Sequence, residues 1–384
     1  VNRMIAAGTA LLLLLVLTGC WDRLEIEERI FVLAVSVDKG KTRHQGLSDY
    51  DLTVQLAEPK ALSGKTPSNH VEPVWNVSVT GPSLFDCMRT LATRVARVPF
   101  YEHLQVVIIS EELAKEGVER PMDLFLRDHE LRRKTSLIIT QGKAKDVLEV
   151  HHKLLPVTGL YLSRLTKESI RKTAKMPRHS TIGTFSSNYR ANRNSVLTRV
   201  EPRKNQVKMA GGAVLNKDKF AGWLEDADVR GYRWVVGSVQ AGNYVVVNNE
   251  ENGKQEHPIN HTTYEVKNMR SIIKPGLRNG KPCFTVQIRS EGHIGEDGLT
   301  SSPTNEEVKN VEHLLNLQIK KDIERIVRKM QKQFGLDIFG FGEQMRRHEH
   351  AYWKKHEKEW DEVFKTAEVD IRVDTSVRRI GHVR

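Results

Sequence analysis

Cys20, at the end of Leu17-Thr18-Gly19-Cys20, is the residue whose setting most clearly prescribes chemistry. A thiol becomes a good nucleophile near neutral pH once its proton is lost. Cys20 can therefore attack a diacylglycerol donor, and the small Gly19 leaves room for a peptidase at the bond to be cut. What precedes it has signal-peptide order: one basic residue, Arg3, an apolar run from Met4 to Leu17, then the small residues. That run of 14 residues makes a helix of roughly 21 Å. An apolar membrane slab is roughly 30 Å thick. The run is too short to span it comfortably, so residues 1–19 read as a cleaved leader and Cys20 as the first mature residue; the plainer alternatives are an ordinary signal peptide with a chance Cys, or an N-terminal anchor helix.

The tetrapeptide resembles a bacterial lipobox, the pattern aliphatic, small, small, Cys. Two or more acyl chains on Cys20 suffice for stable anchoring. No second constellation of comparable specificity follows. There is no Gly-x-Ser-x-Gly elbow, no phosphate-binding Gly-x-x-x-x-Gly-Lys-Ser/Thr loop and no Gly-x-Gly-x-x-Gly after a strand. His348, His350 and His356 lack the His-Glu-x-x-His spacing, and His348 and His350 would point to different sides of a helix. The expectation is a protein without catalytic residues, metal or cofactor. Cys87 and Cys283 fall on a predicted helix and a predicted strand far apart, and read as buried free thiols, with a bridge between them as the lesser alternative.

Composition agrees with a folded chain beyond the leader. Hydrophobic residues make up 39% and charged residues 28%, an ordinary core-forming balance. No later stretch approaches 18 apolar residues, so the remainder reads as extracytoplasmic and soluble. The net charge of +12 suits a surface near anionic lipid, or one that is merely solvated; secretion argues against nucleic acid.

The elements that would position any site follow from periodicity. Phe31 to Val37 reads as a strand closed by a turn at Asp38-Lys39-Gly40, Asp51 to Ala57 and Trp75 to Val79 as alternating strands, and 59–73 as a loop. Ser83 with Asp86 offers a cap for a helix over 83–96. Strands at 103–110 and 135–140 alternate with helices at 121–127, 143–151 and 158–175. Residues 176–206 are poor in large apolar side chains and mark the boundary between a region 20–200 and a C-terminal domain 201–384. Beyond it lie a hairpin over 207–224, a helix capped by Asp226 and stopped by Gly237, and strands at 244–247, 262–273 and 282–290. Thr304 with Glu307 forms a capping box for a helix whose Val308, Val311, Leu315, Ile319, Ile323, Ile326, Met330 and Phe334 recur at steps of three and four, up to Gly335. A glycine-interrupted helical stretch carries Trp353 and Trp360, and an alternating strand runs from Val369 to Val377. The class is α+β, with mixed or antiparallel sheets packed against helices, including one long helix at 304–334.

Three separated blocks together resemble the C-subunit lipoproteins of bacterial spore germinant receptors, the Ger(x)C or GerAC-like family. They are Leu17 to Ile26 running on to Val37-Asp38-Lys39; Gly212-Ala213-Val214 through Gly222-Trp223-Leu224 to Arg230-Gly231 and Trp234; and Gly335-Leu336-Asp337-Ile338-Phe339-Gly340-Phe341-Gly342 with Trp353, Trp360 and Phe364, ending at Arg378-Arg379-Ile380-Gly381. The chain departs from the pattern at Ala34 and Ser36, where relatives often carry glycine. The resemblance implies an elongated α+β chain of three domains and a non-enzymatic subunit. It would be held by Cys20 on the outer face of the spore inner membrane, with two polytopic subunits, A and B, as partners in a receptor that senses nutrients. The competing reading is a solute-binding lipoprotein of an uptake system, which would need two alternating β/α lobes around a cleft. Polar and aromatic residues near Gly340 and Gly342 are the expected contact surface, unless those glycines only permit a tight bend.

Overall fold

The computed structural model describes Arg3, Ile5 and residues 28–44, 47–57, 73–128, 130–152, 155–178, 180–240, 242–247, 261–297 and 304–380. Cys20 and nearly all of the expected loop 59–73 lie outside the described residues.

The chain opens with β1 (Arg29–His44), β2 (Leu47–Ala57), β3 (Val74–Gly81), α1 (Leu84–Leu91), β4 (Val98–Phe100), β5 (Val106–Ser110), α2 (Glu111–Glu116), α3 (Glu119–Arg127) and β6 (Ser136–Thr140). It continues through α4 (Ala144–Leu148), α5 (Thr158–Lys172), α6 (Ile182–Arg190), β7 (Ser195–Arg203), β8 (Gln206–Asn216) and β9 (Lys219–Leu224). These strands form one nine-stranded sheet in the order β3-β2-β1-β5-β6-β7-β8-β9, with β4 also on β1. Its centre, β1-β5-β6-β7, is parallel, and its flanks are antiparallel. β5 and β6 are apolar along most of their length because both faces are covered. Val107, Ile109, Leu137 and Ile139 pack under α1, α2 and α3. Val106, Ile108 and Ile138 pack under α4 and α5 on the other face.

The second part comprises α7 (Asp226–Val235), β10 (Asn243–Val247), β11 (His261–Arg278), β12 (Lys281–Asp297), α8 (Asn305–Lys329), α9 (Phe341–His348), α10 (His350–His356), α11 (Trp360–Phe364) and β13 (Glu368–Ile380). Its four strands run β10-β11-β12-β13, with β12 and β13 parallel, so α8 to α11 form a crossover between them. Thr304 and Glu307 close the expected capping box of α8. Leu315, Ile319, Ile323, Ile326 and Met330 are fully buried along the expected stripe, against α7 and β13. Burying each contributes about 1.5–3 kcal/mol. A π turn, Met330–Phe334, then ends at Gly335 with φ 66°. The fold is α+β with two mixed sheets.

Several local expectations change. Asp38-Lys39-Gly40 does not turn: β1 runs through it, because the Asp38 carboxylate accepts hydrogen bonds from the Ala144 and Lys145 N–H groups at 2.7 and 3.0 Å instead of bending its own backbone. The helix after Ser83 stops at Leu91, although Ser83 caps it by accepting from the Asp86 N–H. Glu225, not Asp226, caps α7, in a capping box with Asp228. Residues 176–206 are not an irregular linker. They hold α6, capped by Thr181 and anchored by buried Ile182 and Phe185, and then β7. Residue 200 thus sits inside β7, and the first sheet continues to Leu224. At the departures in β1, Ala34 packs against Gly159 of α5, while the Ser36 hydroxyl is buried without a hydrogen-bond partner among the described residues.

Candidate functional site

The two sheets meet where β7, β8 and β9 touch the segment after α8, and the third resemblance block lies at this seam. Val196, Val214 and Leu224 of the first sheet share one core with Trp234, Ile323, Phe341 and Phe364. A set of polar side chains fixes the junction.

Asp337 is its centre. One carboxylate oxygen accepts from the Phe339 and Gly340 N–H groups at 2.9 and 3.0 Å; the other accepts from the Gly342 N–H at 2.8 Å and the Trp360 indole N–H at 3.0 Å. Burial raises its pKa, against the pull of the Gly342, Trp360 and Phe339 donors. Asn194, just before β7, donates to the Asp337 carbonyl and the Asp361 carboxylate, and accepts from the Lys217 N–H. Lys217, in the β8–β9 turn, adds an ion pair to Asp361 at 3.5 Å. The first sheet is thereby tied to the last helices through polar groups that satisfy one another.

Glycine sets the spacing here. A Cβ on Gly342 would lie 2.6 Å from the Trp360 indole nitrogen and 2.8 Å from the Trp353 ring, whose centroids are 5.2 Å apart. The turn faces inward: Phe339 and Phe341 are buried, and Gly340 takes φ 81°. Phe339 and Phe341 are therefore core, Trp353 stays half-buried, and Arg346, Arg347 and His348 are the exposed side chains that follow.

The second block works the same way. A Cβ on Gly231 would approach the Asp322 carbonyl to 2.4 Å, so α7 and α8 cross there in backbone contact. Beside it the buried Asp322 carboxylate pairs with Arg230 at 2.8 Å and Arg325 at 3.0 Å. Trp234 donates to the Tyr244 hydroxyl, both fully buried.

A cleft of ≈ 950 Å³ runs along the seam, walled by Arg178, Phe185, Tyr232, Phe339 and Trp353. Burial pushes the Tyr232 phenol up to about 12. Glu343 is held at about 2 by Arg346 and Arg347. His356 hydrogen-bonds to Glu359 at 2.7 Å, and His350 lies against the Arg346 carbonyl. Among the described residues no group of three His, Cys, Asp or Glu side chains could hold a metal. Cys87 and Cys283 are both free; Cys87 is buried, its thiol pushed up to about 11 by burial, and Cys283 is half-buried.

Asn194, Lys217, Asp322 and Asp361 escape sequence reading, since single polar residues far apart in the chain leave no pattern. Asp337 carries a local signal: an Asp followed three residues later by Gly is a common Asx-turn arrangement.

Two family models match the chain in succession. "Spore germination protein N-terminal domain" covers residues 22–202, and "Spore germination B3/ GerAC like, C-terminal" covers residues 210–381. Among curated proteins of Bacillus subtilis (strain 168), the chain is 26% identical to spore germination protein B3 over 376 residues, 96% of this chain and 95% of that protein. It is 25% identical to spore germination protein KC over 406 residues, 99% and 97% of the two chains. The crystal structure of the GerBC protein shares the fold, with a TM-score of 0.60 at 22% identity over 90% of this chain and 97% of that one. The chain belongs to the GerAC-like family of spore germination proteins.

Proposed function

We propose that this chain is the C subunit of a nutrient germinant receptor of the bacterial spore, a non-enzymatic lipoprotein acylated at Cys20 after removal of residues 1–19. The lipid holds it on the outer face of the spore inner membrane, where it assembles with the polytopic A and B subunits and is required for the response to nutrients. The observation that carries this reading is the end-to-end match: both family models align in order, and the germination relatives are covered over 92–97% of their own length. The lipobox supplies the anchor, and the mutually paired charges of the seam suit a protein that works through contact. A solute-binding lipoprotein is disfavoured because only the first sheet alternates strands and helices around a parallel centre; the second carries one long helix.

Two experiments test it. The tagged chain from spore membranes should co-purify with two multi-span proteins; recovery of the chain alone, from membranes that contain both, would count against the receptor assignment. Cys20→Ala should abolish incorporation of labelled fatty acid and leave the uncleaved precursor, whereas undiminished labelling would remove Cys20 as the anchor.

A further inference from the structure

The first sheet holds a second concavity that the seam does not use. At the carboxyl ends of β5 and β6 the chain leaves toward opposite faces. After Ser110 it enters α2, whose Leu113 and Ala114 pack with Val107 and Ile109. After Thr140 it passes Gly142 and enters α4, whose Ala144, Val147 and Leu148 pack with Val106 and Ile108. Adjacent parallel strands whose connections diverge leave a crevice between the two loops, and open α/β sheets bind their ligands there. A cavity of ≈ 940 Å³ borders both loops, through Ser110 and Glu111 on one side and Gly142 and Lys143 on the other, and extends over β1, β2 and β3, where Asp38, Thr53 and Ser78 line it.

Its floor is polar where a core would be apolar. Ser110 is 3% exposed and Thr53 2% exposed. Burial raises the Asp38 pKa, and the Ser110 hydroxyl that faces its carboxylate pulls the other way, yet that hydroxyl makes no hydrogen bond of ordinary geometry among the described residues. Ser36, Gln55 and Asn76, on the same face by register but outside the cavity lining, each bury one polar atom without a partner among the described residues; Gln55 and Asn76 use their other atom to bond the Gly159 N–H and the Leu148 carbonyl. A buried donor or acceptor without a partner is costly, so such atoms mark a place where something else supplies the bond.

The charges at the rim choose the sign. Of the four lining carboxylates, Glu111 is paired with Lys115 and Glu112 with Lys39, while Asp38 and Asp51 accept from neutral donors and leave two negative charges for the remaining cations to outweigh. Lys41, Lys143 and Arg94 line the same cavity, and none has a carboxylate partner among the described residues; Arg94 donates only to the Ser78 carbonyl. Gly142 takes φ 84° with open space where a Cβ would stand, so that wall is accessible.

We propose that this crevice binds a small oxyanion, the carboxylate or phosphate of a soluble molecule, with Lys143, Lys41 and Arg94 supplying charge and the Ser110 hydroxyl a hydrogen bond. The site is independent of the receptor assignment, since it rests on the first sheet alone.

The full mature chain in detergent is titrated with sodium phosphate and, separately, sodium acetate, each against sodium chloride at equal ionic strength, with calorimetry and melting temperature as readouts. At least one oxyanion should give saturable binding, weakened tenfold or more by Lys143→Glu and several-fold by Ser110→Ala, with Lys354→Glu on α10 unchanged. Phosphate alone saturating identifies a phosphate ligand, acetate alone a carboxylate. Lys41→Glu repeats the test should Lys143→Glu lose its circular dichroism. Identical curves in chloride, or saturation that neither Lys143→Glu nor Ser110→Ala alters, would overturn the proposal.

Discussion

Asp337 and Asp38 are both buried aspartates gripped by backbone N–H groups, and their surroundings differ. Around Asp337 the neighbouring polar atoms close on one another: four donors reach its carboxylate, and Asn194 and Lys217 complete the set from the other sheet. Around Asp38 the two N–H groups of α4 are satisfied, while Ser36 and Ser110 nearby keep buried hydroxyls unpaired. A closed network fixes one geometry and makes a joint. An open one leaves bonds for a partner or water to complete. The first region should therefore be sensitive to losing any one member, and the second tolerant.

The scale is set by a position in neither network. Ile323→Asp places an unpaired charge in the fully buried stripe of α8, and should lower stability by about 3–5 kcal/mol. Denaturant unfolding of the mature chain measures it, and an unchanged midpoint would show that this stripe is not core. Asp337→Ala should come next, at about 2–4 kcal/mol, since it strands four buried donors at once. Asp337→Asn should be nearly as harmful: its amide nitrogen would face the Gly342 N–H or the Phe339 and Gly340 pair, donor against donor. If Asn is tolerated, the carboxylate is dispensable and the seam is less closed than its geometry indicates.

The legibility of these regions follows from how far each signal reaches along the chain. The stripe of α8, its capping box and the Gly335 stop are local and periodic and are legible in the sequence; the π turn at Met330–Phe334 and the half-burial of Val308 and Phe334 are not. The β8–β9 hairpin was readable for the same reason, with its polar turn at Lys217. Asp38-Lys39-Gly40 misled because turn chemistry depends on where the Asp points, and here it reaches a helix more than a hundred residues away. Residues 176–206 concealed their helix and strand because Ile182 and Phe185 of α6 and Val196, Leu197 and Val200 of β7 enter cores built elsewhere, and their spacing makes no sustained period. The motif glycines and tryptophans stood out as a resemblance, while the reason for them, close approach at Gly231 and Gly342, appears only in three dimensions.

Asn194→Ala probes the seam from the side of the first sheet. It removes donors to Asp337 and Asp361 and the acceptor for Lys217, so a loss of about 1–2 kcal/mol is expected. A double-mutant cycle with Asp361→Ala should show coupling, because both belong to one network. Additive losses would mean that the two contacts act separately. Acid gives a smaller signal. Glu343 titrates at about 2 in the folded chain, below its ordinary value of 4.5, so its stabilisation is complete above the ordinary value and is lost as pH falls through the folded one. Glu343→Gln should flatten the melting temperature against pH between about 4.5 and 2 relative to the parent chain. An identical acid slope would assign that loss to other carboxylates.

The smallest expected effect is at the open network, and it decides the contrast. Ser110→Ala deletes a 3% exposed hydroxyl that has no partner of ordinary geometry among the described residues. The change leaves no new buried donor stranded and removes one that is unsatisfied, so the stability of the ligand-free chain should stay within about 0.5 kcal/mol of the parent or rise. Its contact with Asp38 is the counterweight: if that contact stabilises the ionised carboxylate, Ser110→Ala should destabilise the chain more at neutral pH than at pH 4, where Asp38, its pKa raised by burial, is closer to neutral. A loss of 2 kcal/mol or more at neutral pH, fading in acid, would make Ser110 a closed partner of Asp38 and erase the difference between the two aspartates.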